Sequence, residues 1–440
     1  MAHRLSVLGT GYLGATHAVC MAEMGFEVLG MDVDPAKIAK LSNGEVPFFE
    51  PGLEPLLRKN IESGRLKFTT SYEEAGRFGD VHFICVGTPQ KKGEYAADMT
   101  YVNAVTHGIL PYVSDGDLLV GKSTVPVGTA ERLTAEVIAS APDGVNVELC
   151  WNPEFLREGF AVEDTLTPDR MVFGVASERA ERILREVFAP VIDIPTPVVI
   201  TDLATAQLVK VAANAFLATK ISFINAMAEV CETVHGDVTK LSEALSHDTR
   251  IGGRFLHAGL GFGGGCLPKD IRAFMARAGE LGVDQALSFL KEVDAINLRR
   301  RARMVDLTRE VLGDGGFKGA KVAVLGAAFK PNSDDIRDSP ALDVAVTMQR
   351  SGADVHLYDP AAMENVALRY PGLPLAESAL EAAQGADVVC HLTEWREFRD
   401  MVPSALDGAV RHKRIVDGRN ALDPDLWRGA GWTYRALGRP

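Results

Sequence analysis

Cysteine is scarce in this chain: six in 440 residues, at positions 20, 85, 150, 231, 266 and 390, with no CxxC pair among them. Scattered in this way they fit reduced thiols better than a disulfide framework or a zinc site. Five of the six sit in apolar surroundings that fit core residues; Cys266 does not. Positive charge is in deficit too. Forty-six Lys and Arg face 59 Asp and Glu, a net charge of −13, the wrong balance for gripping a nucleic-acid backbone. No uncharged apolar run of about 18 residues occurs, so no membrane span is expected. The longest apolar helical candidate, Asp202 to His235, is interrupted by Lys210, Lys220 and Glu229. At the amino terminus Met1-Ala2-His3-Arg4 leads straight into the strand-like Leu5-Ser6-Val7-Leu8-Gly9 without a secretory stretch, so the expected location is the cytoplasm. What is present is ordinary globular material, 47% hydrophobic and 24% charged, sufficient for two or three domains with their own cores.

Strand-like and helix-like segments alternate over the first 200 residues. Strands are predicted at Leu5–Gly9, Glu27–Asp32, Val81–Gly87, Leu118–Ser123, Val147–Trp151, Met171–Val175 and Val198–Thr201, with helices such as Thr129–Ser140 and Glu178–Phe188 between them. This rhythm predicts a parallel sheet with helices on both faces. A long helix from about Asp202 breaks it, and more helical sequence follows, interrupted by the glycine-rich Gly259–Gly265. After a second glycine break at Gly313-Asp314-Gly315-Gly316 come a strand at Lys321–Leu325, a helix near Ala341–Ser351, and strands at Val355–Tyr358, Asp387–Leu392 and, last, Arg414–Asp417. The predicted class is α/β: two Rossmann-like domains, 1–202 and 315–440, joined by a long central helix and a helical middle domain, 203–314.

Gly9-Thr10-Gly11-Tyr12-Leu13-Gly14 matches GxGxxG, follows an apolar strand and opens an apolar helix. Asp32 ends the next strand, 18 residues beyond Gly14. Glycines let backbone amides approach a pyrophosphate, the helix N-terminus favours its charge, and the carboxylate accepts from a ribose 2′-hydroxyl. A carboxylate there repels a 2′-phosphate, so the pattern favours NAD over NADP. The second unit lacks the triplet, reading Gly326-Ala327-Ala328-Phe329-Lys330-Pro331, and is expected to hold a different nucleotide.

The most informative stretch is Gly263-Gly264-Gly265-Cys266-Leu267-Pro268-Lys269-Asp270. Pro268 suits the first turn of a helix, which puts Cys266 at or just before a helix N-terminus, where the dipole and Lys269 favour a thiolate. The three glycines are expected to leave room for a substrate before the sulfur. Asp270, one turn on, is placed to manage protons or water. A lone cysteine is more often a core residue; the poly-glycine and Pro-Lys-Asp context favours a reactive one. On the long helix Lys210 and Asn214 lie about 40° apart, with Asn225 within about 60° of Lys210. They read either as a snorkelling lysine with a satisfied core asparagine, or as a carbonyl clamp. Asn152-Pro153-Glu154-Phe155-Leu156-Arg157-Glu158-Gly159, Lys122-Ser123-Thr124 and Val86-Gly87-Thr88 each end a strand, at the carboxyl edge where α/β sheets collect ligands.

In this order, from Gly9 to Arg419, the motifs resemble the nucleotide-sugar 6-dehydrogenases, the UDP-glucose/GDP-mannose dehydrogenase family. The resemblance implies an NAD-dependent enzyme that oxidises a sugar's primary alcohol twice, to the carboxylate, without releasing the aldehyde. Cys266 then stands as the nucleophile, forming a thiohemiacetal whose oxidation gives a thioester that water hydrolyses. Asp270, Glu154 and Thr124 fall where the family handles protons and water, and Lys210 with Asn214 where it stabilises charge on the C6 oxygen. The implied cofactor contacts are Gly9, Gly11, Leu13, Gly14, Asp32 and Lys37, then Thr88, Thr124 and Glu158, then Lys269 and Arg337. The nucleotide-sugar substrate is implied to meet Glu154, Phe155, Leu156, Arg157, Lys210 and Asn214, then Arg250, the Phe255–Gly259 segment with Leu256, Gly263 and Lys330. Arg250 matches a residue that reaches the sugar from a neighbouring subunit, which implies a homodimer or higher homo-oligomer. Phe329 to Arg337 matches the family's C-terminal signature. Gly265 stands where Ser is usual, a change expected to loosen the nucleophile loop, with Leu267 in place of a common Phe and Ala327 of a frequent Leu. By analogy the Phe-Leu-Arg-Glu-Gly and Phe-Lys-Pro segments favour UDP-glucose over GDP-mannose or N-acetylated UDP-hexosamines.

Two other readings fit part of the sequence. A two-electron β-hydroxyacid dehydrogenase also pairs a Rossmann domain with a Lys–Asn helix, but needs neither Cys266 nor residues 315–440. A catalytically silent NAD sensor leaves Cys266, Lys210, Asn214 and Asp270 unexplained.

Overall fold

The computed structural model describes residues 3–440. The chain divides into two compact units, Met1–Ala213 with Arg272–Gly282, and Asn214–Ile271 with Val283–Pro440. The first unit holds β1 (Arg4–Leu8), β2 (Glu27–Met31), β3 (Leu66–Thr69), β4 (Val81–Ile84), β5 (Leu118–Gly121), β6 (Glu148–Trp151), β7 (Met171–Gly174) and β8 (Val198–Thr201), in sheet order β3-β2-β1-β4-β5-β6-β7-β8. Its central strands are buried on both faces, as their near-continuous apolar sequences require. Leu5, Val7, Phe83 and Val120 pack into one core, and Leu8, Ile84, Leu119 and Trp151 into another. Successive residues thus serve opposite faces, the period of two that strand geometry imposes.

The structure departs from the expected all-parallel sheet at one junction. Trp151 of β6 pairs antiparallel with Gly174 of β7, while β7 and β8 run parallel to each other. Direction depends on how the connection returns, and a strand buried on both faces carries the same side chains either way. The strand β3 was not among those predicted.

The second unit contains β9 (Lys321–Leu325), β10 (Asp354–Tyr358), β11 (Val388–His391), β12 (Arg414–Asp417) and β13 (Thr433–Ala436), all parallel, in order β10-β9-β11-β12-β13. Arg414–Asp417 is therefore not the last strand. β13 is a four-residue edge strand whose alternate side chains face solvent, too short and too polar for its alternation to stand out. In both sheets the strand order reverses beside the first strand, at β1/β4 and at β9/β11, and ligands of open α/β sheets collect outside the carboxyl ends there.

The helix Leu203–Val234 runs from the first unit into the second. By length and composition alone it passes for a membrane span, but its buried polar side chains mark a core helix. Gln207 Oε1 accepts from the Ala130 amide at 3.0 Å, Ser222 donates to the Val293 carbonyl at 2.7 Å, and Asn225 Oδ1 accepts from the Gly259 amide at 2.9 Å. Its opposite face is apolar and exposed: Leu208, Phe216, Phe223, Val230 and Val234 are 42–67% accessible and fall within an arc of about 80°.

Candidate active site

In the first unit the glycine-rich turn has three glycines with different tasks. Gly9 takes φ +92°, where side chains are strained. At Gly14 a Cβ would lie 1.7 Å from the Gly9 carbonyl oxygen, so the helix Tyr12–Glu23 packs on the turn only because that side chain is absent. A Cβ at Gly11, by contrast, meets nothing within 4 Å, which leaves open the space a pyrophosphate needs. Asp32 accepts from the Thr10 amide at 2.9 Å and from Lys37 Nζ at 2.7 Å. Burial alone would raise its pKa, but the bonds from Lys37 and from the Thr10 and Asp34 amides hold it below the ordinary carboxylate range. An ionised carboxylate beside an open glycine turn fits a dinucleotide with a free ribose hydroxyl.

The sheet's carboxyl edge carries the other predicted residues of this unit. Glu154 pairs through Oε1 with Lys210 at 3.0 Å and accepts from the Leu156 amide at 2.5 Å. Lys210 also lies 5.6 Å from the centroid of the Phe155 ring, and Arg170 lies 3.8 Å from it. Arg157 forms a two-pronged bond to Asp164. The Thr88 hydroxyl donates to the Thr124 carbonyl at 2.7 Å, joining the ends of β4 and β5, and Thr124, Leu13 and Glu158 are half-buried.

In the second unit Cys266 is exposed, whereas the other five cysteines are buried. Burial pushes the thiols of Cys20, Cys85 and Cys390 up to about 12, which leaves them as thiols at neutral pH. The Cys266 carbonyl accepts from the Asp270 amide at 2.9 Å and the helix Leu267–Glu280 follows directly, so the sulfur sits on the residue that caps a helix N-terminus, as Pro268 predicts. Asp270 is buried and accepts from Asn214 Nδ2 at 2.7 Å and from Lys269 Nζ at 2.5 Å. Lys210 thus pairs with Glu154, and Asn214 bonds to Asp270.

The expectation that the three glycines leave space before the sulfur is corrected. A Cβ at Gly263 would lie 2.3 Å from the Asp338 carbonyl oxygen, one at Gly264 2.8 Å from the Phe329 ring, and one at Gly265 2.3 Å from the Arg337 guanidinium carbon. The space that side chains at these glycines would take is filled by the 329–338 segment. At Gly265 that space is taken by the Arg337 guanidinium. Arg337 itself pairs with Asp335 at 2.7 Å, and Lys330 lies 5.5 Å from the Phe329 ring centroid. Leu256, Gly259 and Gly263 are buried and Phe255 takes φ +65°. Arg250, paired with Asp248, has an 87% exposed side chain.

Sequence profiles of the UDP-glucose/GDP-mannose dehydrogenase family match the chain three times in order: its NAD binding domain over residues 3–192, its central domain over 204–299 and its UDP binding domain over 323–424. A UDP-glucose 6-dehydrogenase of Rhizobium meliloti is 41% identical over 99% of this chain and 100% of its own length. The chain belongs to the UDP-glucose/GDP-mannose dehydrogenase family. Among solved structures, a UDP-glucose dehydrogenase from Pyrobaculum islandicum has 38% identity and a TM-score of 0.91, covering 100% of this chain and 98% of its own. A UDP-D-ManNAc dehydrogenase from Pyrococcus horikoshii has 27% identity and a TM-score of 0.86, with 99% of both chains covered. The chain is accordingly an NAD-dependent nucleotide-sugar dehydrogenase.

The family's UDP binding domain uses its glycine turn differently from the NAD domain. Asp359, at the end of β10, corresponds to Asp32 but is wholly buried and accepts from the amides of Ala327 (2.7 Å), Ala328 (3.0 Å), Ala361 (3.0 Å) and Ala362 (2.9 Å) and from Trp395 Nε1 (3.0 Å). Its oxygens are committed to the fold, so this carboxylate has no acceptor to offer a ribose.

Sequence reading missed Glu50 and passed over Lys122. Glu50 accepts from the Gly159 amide at 2.7 Å, the Ala161 amide at 2.8 Å and the Tyr12 hydroxyl. It ties the dinucleotide turn to the loop carrying Glu154. Burial and the Glu50 charge push the Tyr12 hydroxyl well above its ordinary pKa. A carboxylate within Pro47-Phe48-Phe49-Glu50-Pro51 was the available signal, since an acid among aromatics and prolines needs internal donors. Lys122 is buried, donates to Asn152 Oδ1 at 2.8 Å and lies 5.5 Å from the Phe188 ring centroid. Burial lowers its pKa.

Acid should unfold this enzyme through carboxylates such as Asp32 and Asp417. Burial would raise Asp417, but His391 and the Leu422 and Arg419 amides hold it low. A carboxylate depressed in the folded state contributes stability that is complete above its unfolded pKa and drains away as pH falls through the folded one. The urea midpoint should hold steady from neutral pH down to roughly 5 and drop below about 4. A midpoint that rises on acidification contradicts this.

Proposed function

We propose that the chain oxidises UDP-glucose to UDP-glucuronate: one primary alcohol, one water and two NAD⁺ give one carboxylate, two NADH and three protons. The observation that carries the reading is the exposed thiol capping the helix Leu267–Glu280, one turn from Asp270. The choice of sugar rests on likeness to UDP-glucose enzymes near 40% identity, against 27% for the N-acetylmannosamine relative. Bound NAD supplies the hydride acceptor for both oxidations; the side chains do the rest.

In this reading residues 1–202 hold NAD, 203–314 carry the reacting groups and 315–440 hold the uridine nucleotide. The Cys266 thiolate, favoured by the helix dipole and Lys269, adds to the aldehyde carbon, so the half-oxidised sugar stays covalently held. Lys210 and Asn214 stabilise the oxyanion that forms on the C6 oxygen. After the second oxidation, water attacks the thioester carbonyl and the C–S bond breaks, returning the thiolate. Asp270, Glu154 and Thr124 orient that water and take its protons. Arg250 serves a neighbouring copy, and the exposed stripe Leu208–Val234 is the face on which two copies pair. Sedimentation should show a dimer that Phe223→Asp converts to monomer; a monomeric parent chain removes this part.

The decisive test is NADH release with UDP-glucose, UDP-galactose, GDP-mannose and UDP-N-acetylhexosamines. UDP-glucose should turn over best and yield two NADH per sugar. One NADH per sugar supports a two-electron enzyme, and preference for another sugar nucleotide reassigns the substrate.

A further inference from the structure

The segment Gly259–Gly265 lies outside every strand, yet its backbone is buried up to Gly264. Buried backbone N–H and C=O groups need partners, and here side chains supply them. Asn297, on the helix Phe289–Leu312 and wholly buried, accepts from the Phe262 amide through Oδ1 at 2.7 Å and donates through Nδ2 to the Phe262 carbonyl at 2.9 Å. One side-chain amide thus satisfies both backbone groups of one residue, as a neighbouring strand would. The partners also fix which way the amide points, because the N–H requires an acceptor and the carbonyl a donor. Gly261 takes φ +90°, and a Cβ there would lie 2.1 Å from Asn297 Oδ1, so the clip closes only over a glycine. Three more side chains hold the same segment: Asn225 at the Gly259 amide (2.9 Å), Arg419 at the Gly261 carbonyl (3.1 Å) and Arg301 at the Phe262 carbonyl (3.4 Å).

We propose that Asn297 is a positioning residue for the nucleophile: it fixes Phe262 and, through Gly263–Gly265, the place of Cys266. The proposal rests on the reading of Cys266 as nucleophile. Asn297 is buried and bonded to backbone, so it acts through Phe262 and touches no reacting atom. No other common side chain replaces it. Aspartate presents a carboxylate oxygen to the Phe262 carbonyl, leucine strips the Phe262 amide of its acceptor and leaves the carbonyl only the longer bond from Arg301, and glutamine is one methylene too long for the gap.

The step that needs the thiol is the second oxidation, whereas removal of the first hydride does not use it. A displacement on the order of 1 Å costs a reaction about a hundredfold. Asn297→Ala, and Asn297→Ser should the alanine variant fail to fold, are assayed at a temperature where circular dichroism shows native structure. The rate with the supplied sugar-nucleotide aldehyde should fall roughly ten- to a hundredfold. The KM for NAD should stay within about twofold, and the rate of Cys266 alkylation by iodoacetamide should change. Equal losses in both oxidations with unchanged alkylation show a merely structural residue and overturn the proposal, as does normal turnover in a folded variant. If Cys266→Ser in the parent chain fails to accumulate uronate while the Asn297 variants behave normally, only this inference fails. If Cys266→Ser turns over normally, the reading beneath it fails.

Discussion

Replacing Cys266 by serine leaves a folded enzyme that releases its first NADH but forms UDP-glucuronate at least about a thousandfold more slowly. Cys266 is exposed and forms no part of a packed core, so folding loses little. On the proposed route the chemistry loses its nucleophile. Serine's hydroxyl remains protonated at neutral pH, so capture of the aldehyde all but stops. The first hydride transfer needs only the alcohol, a base and bound NAD, so it persists, and the aldehyde should appear in solution as its hydrate. Chromatography of the nucleotide products with NADH quantified in the same sample checks both halves. Full two-NADH turnover by the serine variant contradicts the covalent route.

Lys210→Met should lower kcat/KM by roughly a hundred- to a thousandfold, the loss seen when one oxyanion donor is removed. Lys210 is 5% exposed and paired with Glu154, so the single variant also strands a half-buried carboxylate, which costs stability. The double variant Lys210→Met with Glu154→Gln removes that charge. It should recover much of the lost thermal stability and none of the activity. If activity returns with stability, neither Lys210 nor Glu154 serves the chemistry and the pair belongs to the fold.

How much of this was legible depended on the kind of signal. The glycine turn, Asp32 and the Cys266 helix start were readable because each is local: a few adjacent residues dictate a turn or a cap. Helix Thr129–Ser140 and strands Lys321–Leu325 and Arg414–Asp417 match their predicted bounds to the residue, since apolar period and glycine or proline punctuation coincide there. Contacts across the chain were not legible. The partition of Lys210 to Glu154 and Asn214 to Asp270 needs partners 56 residues away in both cases, and nothing in helical spacing names them. The glycines at 263–265 looked like room for a ligand because absence of a side chain is visible in sequence, but what fills the space is not. Asn297 sits in the apolar register of its helix with Val293 and Met304, a polar intruder whose purpose is seen only when Phe262 is beside it.

The measurement that tests the central claim most directly is peptide mass spectrometry of enzyme quenched in acid during turnover of UDP-glucose, using Asp270→Asn to slow hydrolysis. An acyl adduct of the sugar nucleotide should appear on the peptide containing Cys266, and on none containing the buried cysteines. Continued formation of UDP-glucuronate with that peptide unmodified contradicts it.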